Sequence, residues 1–141
     1  MAKIITADSF PGQKLIQWTY GYQGSTSTTY IYPTGMTTTS NYPYIYWPMT
    51  FNGKLVKATL RNNPYSSYTS GPTGTGATLL ISKNGSLLAN NTQSYTAGTA
   101  GQMLNFSFSN ATFSASDYLV LSFNCDGLWR YVNWMFEFET I

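Results

Sequence analysis

The chain has 141 residues, a net charge of +2 and only 9% charged residues, against 17% aromatic ones. Typical domains carry about 25% charge, yet aromatics this abundant exclude a disordered chain. Lys3, Lys14, Lys54, Lys57, Arg61, Lys83 and Arg130 are scattered and form no phosphate-neutralising stripe, so nucleic acid is not an expected partner.

Taken in chain order, the N-terminus has no apolar signal-type core. Residues 1–13 are expected to form an extended arm, and 14–141 one domain. Lys14 to Tyr22 reads as a strand, with Lys14, Ile16, Trp18, Tyr20 and Tyr22 on one face. Tyr30 and Tyr32 form a second alternating pair, and Tyr42, Tyr44 and Tyr46 a third set, followed by Trp47-Pro48. Pro43 and Pro48 confine that segment to a sheet edge or an arm, because proline cannot donate to a central ladder.

Asn52-Gly53 is expected to turn a hairpin from Met49–Phe51 into a strand from Leu55 to Arg61. Residues 62–76 hold turn formers and read as a long surface loop. Ala77, Leu79 and Ile81 then alternate with polar positions. Asn84-Gly85 supplies the positive φ of a type I′ turn, and Leu87-Leu88 begins the return strand. Leu104, Phe106 and Phe108 form the next period-2 set, and Leu119, Leu121 and Phe123 the one after. Asp126-Gly127 is expected to turn another hairpin. The last strand places Val132, Trp134, Phe136 and Phe138 on an apolar face, with Tyr131, Asn133, Met135, Glu137 and Glu139 opposite. No stretch repeats apolar residues at helical spacing. Strands apolar on one face alone need a second sheet to cover them. The expected fold is all-β: a single antiparallel β-sandwich, jelly-roll-like, with an extended N-terminal arm. No apolar stretch is long enough to span a bilayer, so no membrane partner is expected.

The chemistry is sparse. The chain has no histidine, which removes the commonest general base and metal ligand and makes a Ser-His-Asp or Cys-His triad impossible. No catalytic residue, cofactor or metal set is expected. Glu137 and Glu139 share a strand face, but glycosidase carboxylates flank the scissile bond from opposite sides, so they read as a solvated strand end. Asp117 and Asp126 read as turn residues whose carboxylates bond backbone amides two residues on. Cys125 is the lone cysteine; with no base beside it, it reads as a buried inert thiol. The absence of a disulfide framework suits synthesis in a reducing host cytoplasm.

The tyrosine-rich first fifty residues carry the functional expectation. Tyrosine buries much area at low entropic cost and keeps a polar tip. Trp18, Tyr20, Tyr22, Tyr30, Tyr32, Tyr42, Tyr44, Tyr46 and Trp47 pack between the sheets, form a subunit interface, or make a platform for sugar rings. Their number exceeds what one small core needs, and their types favour the interface.

Two stretches carry a resemblance: Leu79-Leu80-Ile81-Ser82-Lys83-Asn84-Gly85-Ser86-Leu87-Leu88, and Phe113-Ser114-Ala115-Ser116-Asp117-Tyr118-Leu119-Val120-Leu121. Together they resemble the small jelly-roll (C1q/TNF-like) sandwiches of tailed-bacteriophage decoration proteins, head fibres and tail-fibre tips. Such domains have an Asn-Gly hairpin and, later, Gly-Asp before an apolar strand. Here Ser116 stands where the glycine would, so that turn is expected to differ. The resemblance covers under half the chain. It implies a non-enzymatic virion structural protein, a homotrimer or pseudo-symmetric multimer on the capsid surface. As a decoration (cement) subunit it would bind and stabilise the major capsid protein shell through the arm and the aromatic interface. The alternative is a tail-fibre or adhesin tip module that binds a host-surface glycan or receptor.

Overall fold

A computed structural model describes residues 11–21, 28–33, 37–38, 45–62, 71–129 and 132–141, with backbone alone at 20, 21, 37 and 38. The strands are β1 (Lys14–Gly21), β2 (Thr29–Ile31), β3 (Thr37–Thr38), β4 (Trp47–Pro48), β5 (Gly53–Asn62), β6 (Gly76–Lys83), β7 (Ser86–Ser94), β8 (Met103–Phe113), β9 (Tyr118–Cys125) and β10 (Val132–Thr140). No α-helix occurs among the described residues.

One sheet has four strands in the order β1-β10-β5-β8. The other has six, in the order β3-β2-β9-β6-β7, with β4 also paired to β9. All pairings are antiparallel. From β5 onward the chain visits the first sheet, then β6 and β7 in the second, then returns for β8, leaves for β9 and returns for β10. This is a jelly-roll path, and the expected sandwich is present.

The alternation in the sequence decides which side chains enter the core. Val132, Trp134, Phe136 and Phe138 of β10 are buried, as are Leu79 and Ile81 of β6, Leu104, Phe106 and Phe108 of β8, and Leu119, Leu121 and Phe123 of β9. The centre is a run of aromatic contacts. Trp134 stacks on Phe136 at 5.5 Å between centroids and meets Phe123 edge-on at 5.3 Å, and Trp47 meets Phe136 edge-on at 5.1 Å. Edge-to-face and offset pairs add to the burial of area itself.

Bulges interrupt the period in β5, in β8 and in β7, where Leu88 is skipped between the Ile81–Ala89 and Ser82–Leu87 pairs. Val56 has no partner between the Leu55 and Lys57 pairs of β5. In β8 two exposed residues, Ser109 and Asn110, separate buried Phe108 from buried Ala111. An extra residue flips the alternation and bends the strand.

Asn84 (φ 51) and Gly85 (φ 85) close the β6–β7 hairpin as expected. The other two turns differ. Asn52-Gly53 joins no hairpin, because β4 pairs with β9 in one sheet and β5 lies in the other. Asp126-Gly127 likewise carries the chain from β9 across to β10 in the opposite sheet. Both dipeptides mark corners between layers.

Ser116 keeps the turn that a glycine would make: its φ is 81°, and its amide donates to the Met49 carbonyl at 2.8 Å. A left-handed non-glycine residue is strained by about 1–2 kcal/mol, of which glycine's extra unfolded-state freedom offsets about 0.5–1 kcal/mol. Ser116→Gly is therefore expected to stabilise the fold by about 0.5–1 kcal/mol, read as a higher urea midpoint at unchanged slope.

Candidate functional site

The outer face of the four-stranded sheet is built from the positions that alternate with the core. Strand register aligns them in rows. Trp18 of β1 lies opposite Met135 of β10, which lies opposite Thr59 of β5, which lies opposite Asn105 of β8. The next row holds Asn133, Arg61 and Met103; the row on the other side holds Ile16, Glu137, Lys57 and Ser107. Neighbouring strands are about 4.8 Å apart, so this face is roughly 14 Å wide. Trp18 is 66% exposed, Met103 55% and Ile16 52%. Between Trp18 and Met103 lies a depression of about 520 Å³, lined also by Lys57, Thr59, Arg61, Asn105, Asn133 and Met135.

The charges on this face are unevenly paired. Lys14 Nζ meets Glu137 at 2.9 Å and Lys54 Nζ meets Glu139 at 3.9 Å. The hydrogen bond from Lys14 to Glu137 raises the lysine's pKa above its ordinary value. The two glutamates are thus paired edge groups. Lys57 and Arg61 have no carboxylate partner among the described residues, so the face is cationic around its apolar centre. The Thr59 hydroxyl donates to Asn105 Oδ1 at 3.0 Å, which fixes that amide against the strand.

The expected interface residues divide. Trp18 lies fully on this face. Trp47 does not belong to any surface: it is 4% exposed, and its indole N–H donates to the Ile31 carbonyl at 2.9 Å. It points inward because β4 alternates with exposed Tyr46 and Pro48. Tyr30 and Tyr32 are half-buried and belong to the other sheet's side. Tyr46 is 40% exposed and packs on Tyr118 at 4.7 Å. The backbone of Tyr20 pairs with Asn133; its side chain, with Tyr22, Tyr42, Tyr44 and the first ten residues of the expected arm, lies outside the described residues. Met103, Met135, Asn133 and Arg61 were not among the expected site residues. Only the strand order brings them beside Trp18.

The acidic loop residues act across the chain. Asp126 Oδ1 accepts from the backbone amides of Thr75 at 2.8 Å and Gly76 at 2.9 Å, and Oδ2 accepts from the Thr75 hydroxyl at 2.8 Å. Asp117 accepts from the Ser114 amide, three residues back, at 2.8 Å and from the Asn84 side chain at 2.7 Å. Neither bonds an amide two residues on. Both side chains are structural clips. The amides of Gly76 and Thr75 bring Asp126 down to about 2, and the Ser114 amide lowers Asp117. A carboxyl whose folded value lies below its ordinary value of about 3.9 stabilises the fold above that value. The stability is lost as pH falls from about 4 toward 2. Asp126→Asn is expected to flatten this acid limb in a series of urea midpoints against pH.

Cys125 is 7% exposed and donates to the Gly127 carbonyl at 2.9 Å; burial raises its thiol pKa, away from reactivity. Tyr95 is pushed up to about 12 by burial. No three His, Cys, Asp or Glu side chains come together among the described residues.

Fold and face together define an antiparallel jelly-roll sandwich with one aromatic, methionine-rich sheet face. No protein-family model matches the chain, and no curated protein matches it. It is similar to a solved structure described as "Carbohydrate-Binding Module CBM36 in complex with calcium and xylotriose". The two are 12% identical with a TM-score of 0.37, over 90% of this chain and 98% of that one. A likeness so loose transfers neither the calcium nor the sugar.

Proposed function

We propose that the protein is a non-enzymatic structural subunit of a virus exterior, and that it assembles with further copies of itself through the outer face of the four-stranded sheet. The observation that carries this is the exposure of Trp18, Ile16 and Met103 around Met135 on one rigid sheet. Exposed apolar patches on otherwise soluble sandwiches mark interaction surfaces, and Trp, Met and Arg are the types enriched at protein interfaces. Paired Lys14–Glu137 and Lys54–Glu139 form a polar rim, as interface rims require. The chain's lack of histidine supports the non-enzymatic reading. Placement on a virion, a trimeric state and contact with the capsid shell rest on the resemblance of residues 77–138 to phage decoration and fibre-tip sandwiches.

Native mass measurement on the purified protein tests assembly, and imaging of native particles with tagged protein tests placement. A monomer at all concentrations, or particles without tag, removes the corresponding part of the proposal.

A further inference from the structure

The charges of the four-stranded sheet are sorted by strand. Its outer face carries Glu137 and Glu139 on β10, and Lys54, Lys57 and Arg61 on β5. These two strands are neighbours at the middle of the sheet. Register sets four rows across β1, β10, β5 and β8. An end row holds Lys14, Glu139, Lys54 and Thr112, and the next holds Ile16, Glu137, Lys57 and Ser107. Trp18, Met135, Thr59 and Asn105 make the third; Asn133, Arg61 and Met103 stand in the fourth.

A second copy can lie on this face in few ways. Sheets stacked face to face keep their strand directions within about 30° of each other. A two-fold contact then has its axis in the plane of contact, either across the strands or along them. An axis across them sets β5 on β5. Centred on the Met135 row, it lays Lys57 over Arg61 of the other copy. Centred half a row away, between the Trp18 and Ile16 rows, it lays Lys54 over that arginine. Like charges opposed at a contact are costly.

An axis along the strands, midway between β10 and β5, sets β10 on β5 instead. Glu137 then lies over Lys57 of the other copy, Glu139 over Lys54, and Asn133 over Arg61. Within each copy Lys54 already stands beside Glu139 at 3.9 Å, and Lys57 is the register neighbour of Glu137. The two contacts near the axis are therefore squares of alternating charge. Lys57, which has no carboxylate partner among the described residues of its own copy, gains one. Trp18 lies over Asn105 of the other copy and next to its Met103, on the open side of the 520 Å³ depression that both residues line.

The area also suffices. β1, the shortest strand of the sheet, has eight residues. At about 3.4 Å per residue and about 4.8 Å per strand, the face covers about 500 Å² in projection. Two copies together hide about 1,000 Å² before side-chain relief is counted, which reaches the size of a specific contact.

We infer that two copies stack through this face about a two-fold axis that runs along the strands between β10 and β5, so that the acidic strand of each covers the basic strand of the other. The inference rests on the self-assembly proposed above and specifies its geometry. An isologous contact gives an even number of subunits: a dimer by itself, or a hexamer where it joins two trimers.

The test is native mass on the full chain, with dissociation constants from sedimentation over a concentration series and urea midpoints to report folding of each variant. The parent is expected to hold an even number of subunits. Lys57→Glu and Glu137→Lys are each expected to weaken association about tenfold or more, and the two together in one chain to restore it. An axis across the strands predicts the reverse for Lys57→Glu alone, because the new glutamate would face Arg61. The geometry is overturned if the parent is a trimer, if Lys57→Glu tightens association, if neither single variant changes it, or if the double variant stays as weak as the singles. In each of those cases copies still assemble, so the self-assembly reading stands. A parent that is monomeric at all concentrations overturns both.

Discussion

Trp134→Ala is expected to cost about 3–5 kcal/mol of folding stability, the range for a fully buried large aromatic. A domain of this kind has about 5–15 kcal/mol in total, so the variant lies at the edge of folding. The reason is position. Trp134 has no exposed surface and contacts Phe106, Phe123 and Phe136, which come from β8, β9 and β10 of both sheets. Truncation opens a cavity where the two layers meet, and close-packed neighbours on stiff strands collapse into it only in part. Trp134→Phe is expected to cost much less. It leaves a smaller void and removes an indole N–H that is buried without a partner, whose burial carries its own penalty of about 1–3 kcal/mol. Urea unfolding of both variants checks this; equal losses would show that the unsatisfied N–H carries no cost.

The second large effect is on assembly. Trp18→Asp is expected to reduce the native mass from a multimer to a monomer while leaving the unfolding midpoint of the subunit within about 0.5 kcal/mol of the parent, as exposed substitutions do. Trp18 is 66% exposed and Lys57 and Arg61 lie on the same face, so the aspartate meets no steric obstacle within its own subunit. It replaces the largest exposed apolar side chain of the proposed contact with a charge that must be desolvated there. Met135→Asp, in the same row, is expected to act alike. A multimer that persists in both variants would show that copies meet elsewhere.

Much of the core was legible in the sequence because side-chain direction in a strand has a period of two. Leu79 and Ile81, Leu119 to Phe123 and Val132 to Phe138 announce their inward faces by that pattern alone. Asn84-Gly85 was legible because both residues need positive φ. Asn52-Gly53 and Asp126-Gly127 misled because such dipeptides specify local backbone, not which strand follows in space. Trp47 was grouped with Tyr42, Tyr44 and Tyr46 as aromatic, although its odd position puts it in the opposite phase; parity was the available signal. The bulges at Val56 and at Ser109-Asn110 leave no mark in composition. Asp126 finds its partners 50 and 51 residues away, beyond any local pattern. Of the proposed contact face, Trp18 alone stood among the expected interface residues, with Ile16 in the same strand phase. Its other half, Arg61, Met103 and Met135, depends on β10 lying between β1 and β5, which no neighbouring residues encode.

That strand order governs when the fold can form as well as what it holds. Among the described strands β1 comes first and β10 last, and β1 pairs with no other described strand of its sheet. On a ribosome, the chain therefore carries β1 and β5 with the slot between them empty until residues 132–140 have emerged. During that time the facing edges of β1 and β5 have no ladder partner, and the aromatic side chains meant to meet Trp134 lack that contact. Ladders between distant segments form slowly, and exposed strand edges invite pairing with other chains. The subunit is thus completed in one late step, by a C-terminal strand that seals the sheet from its middle.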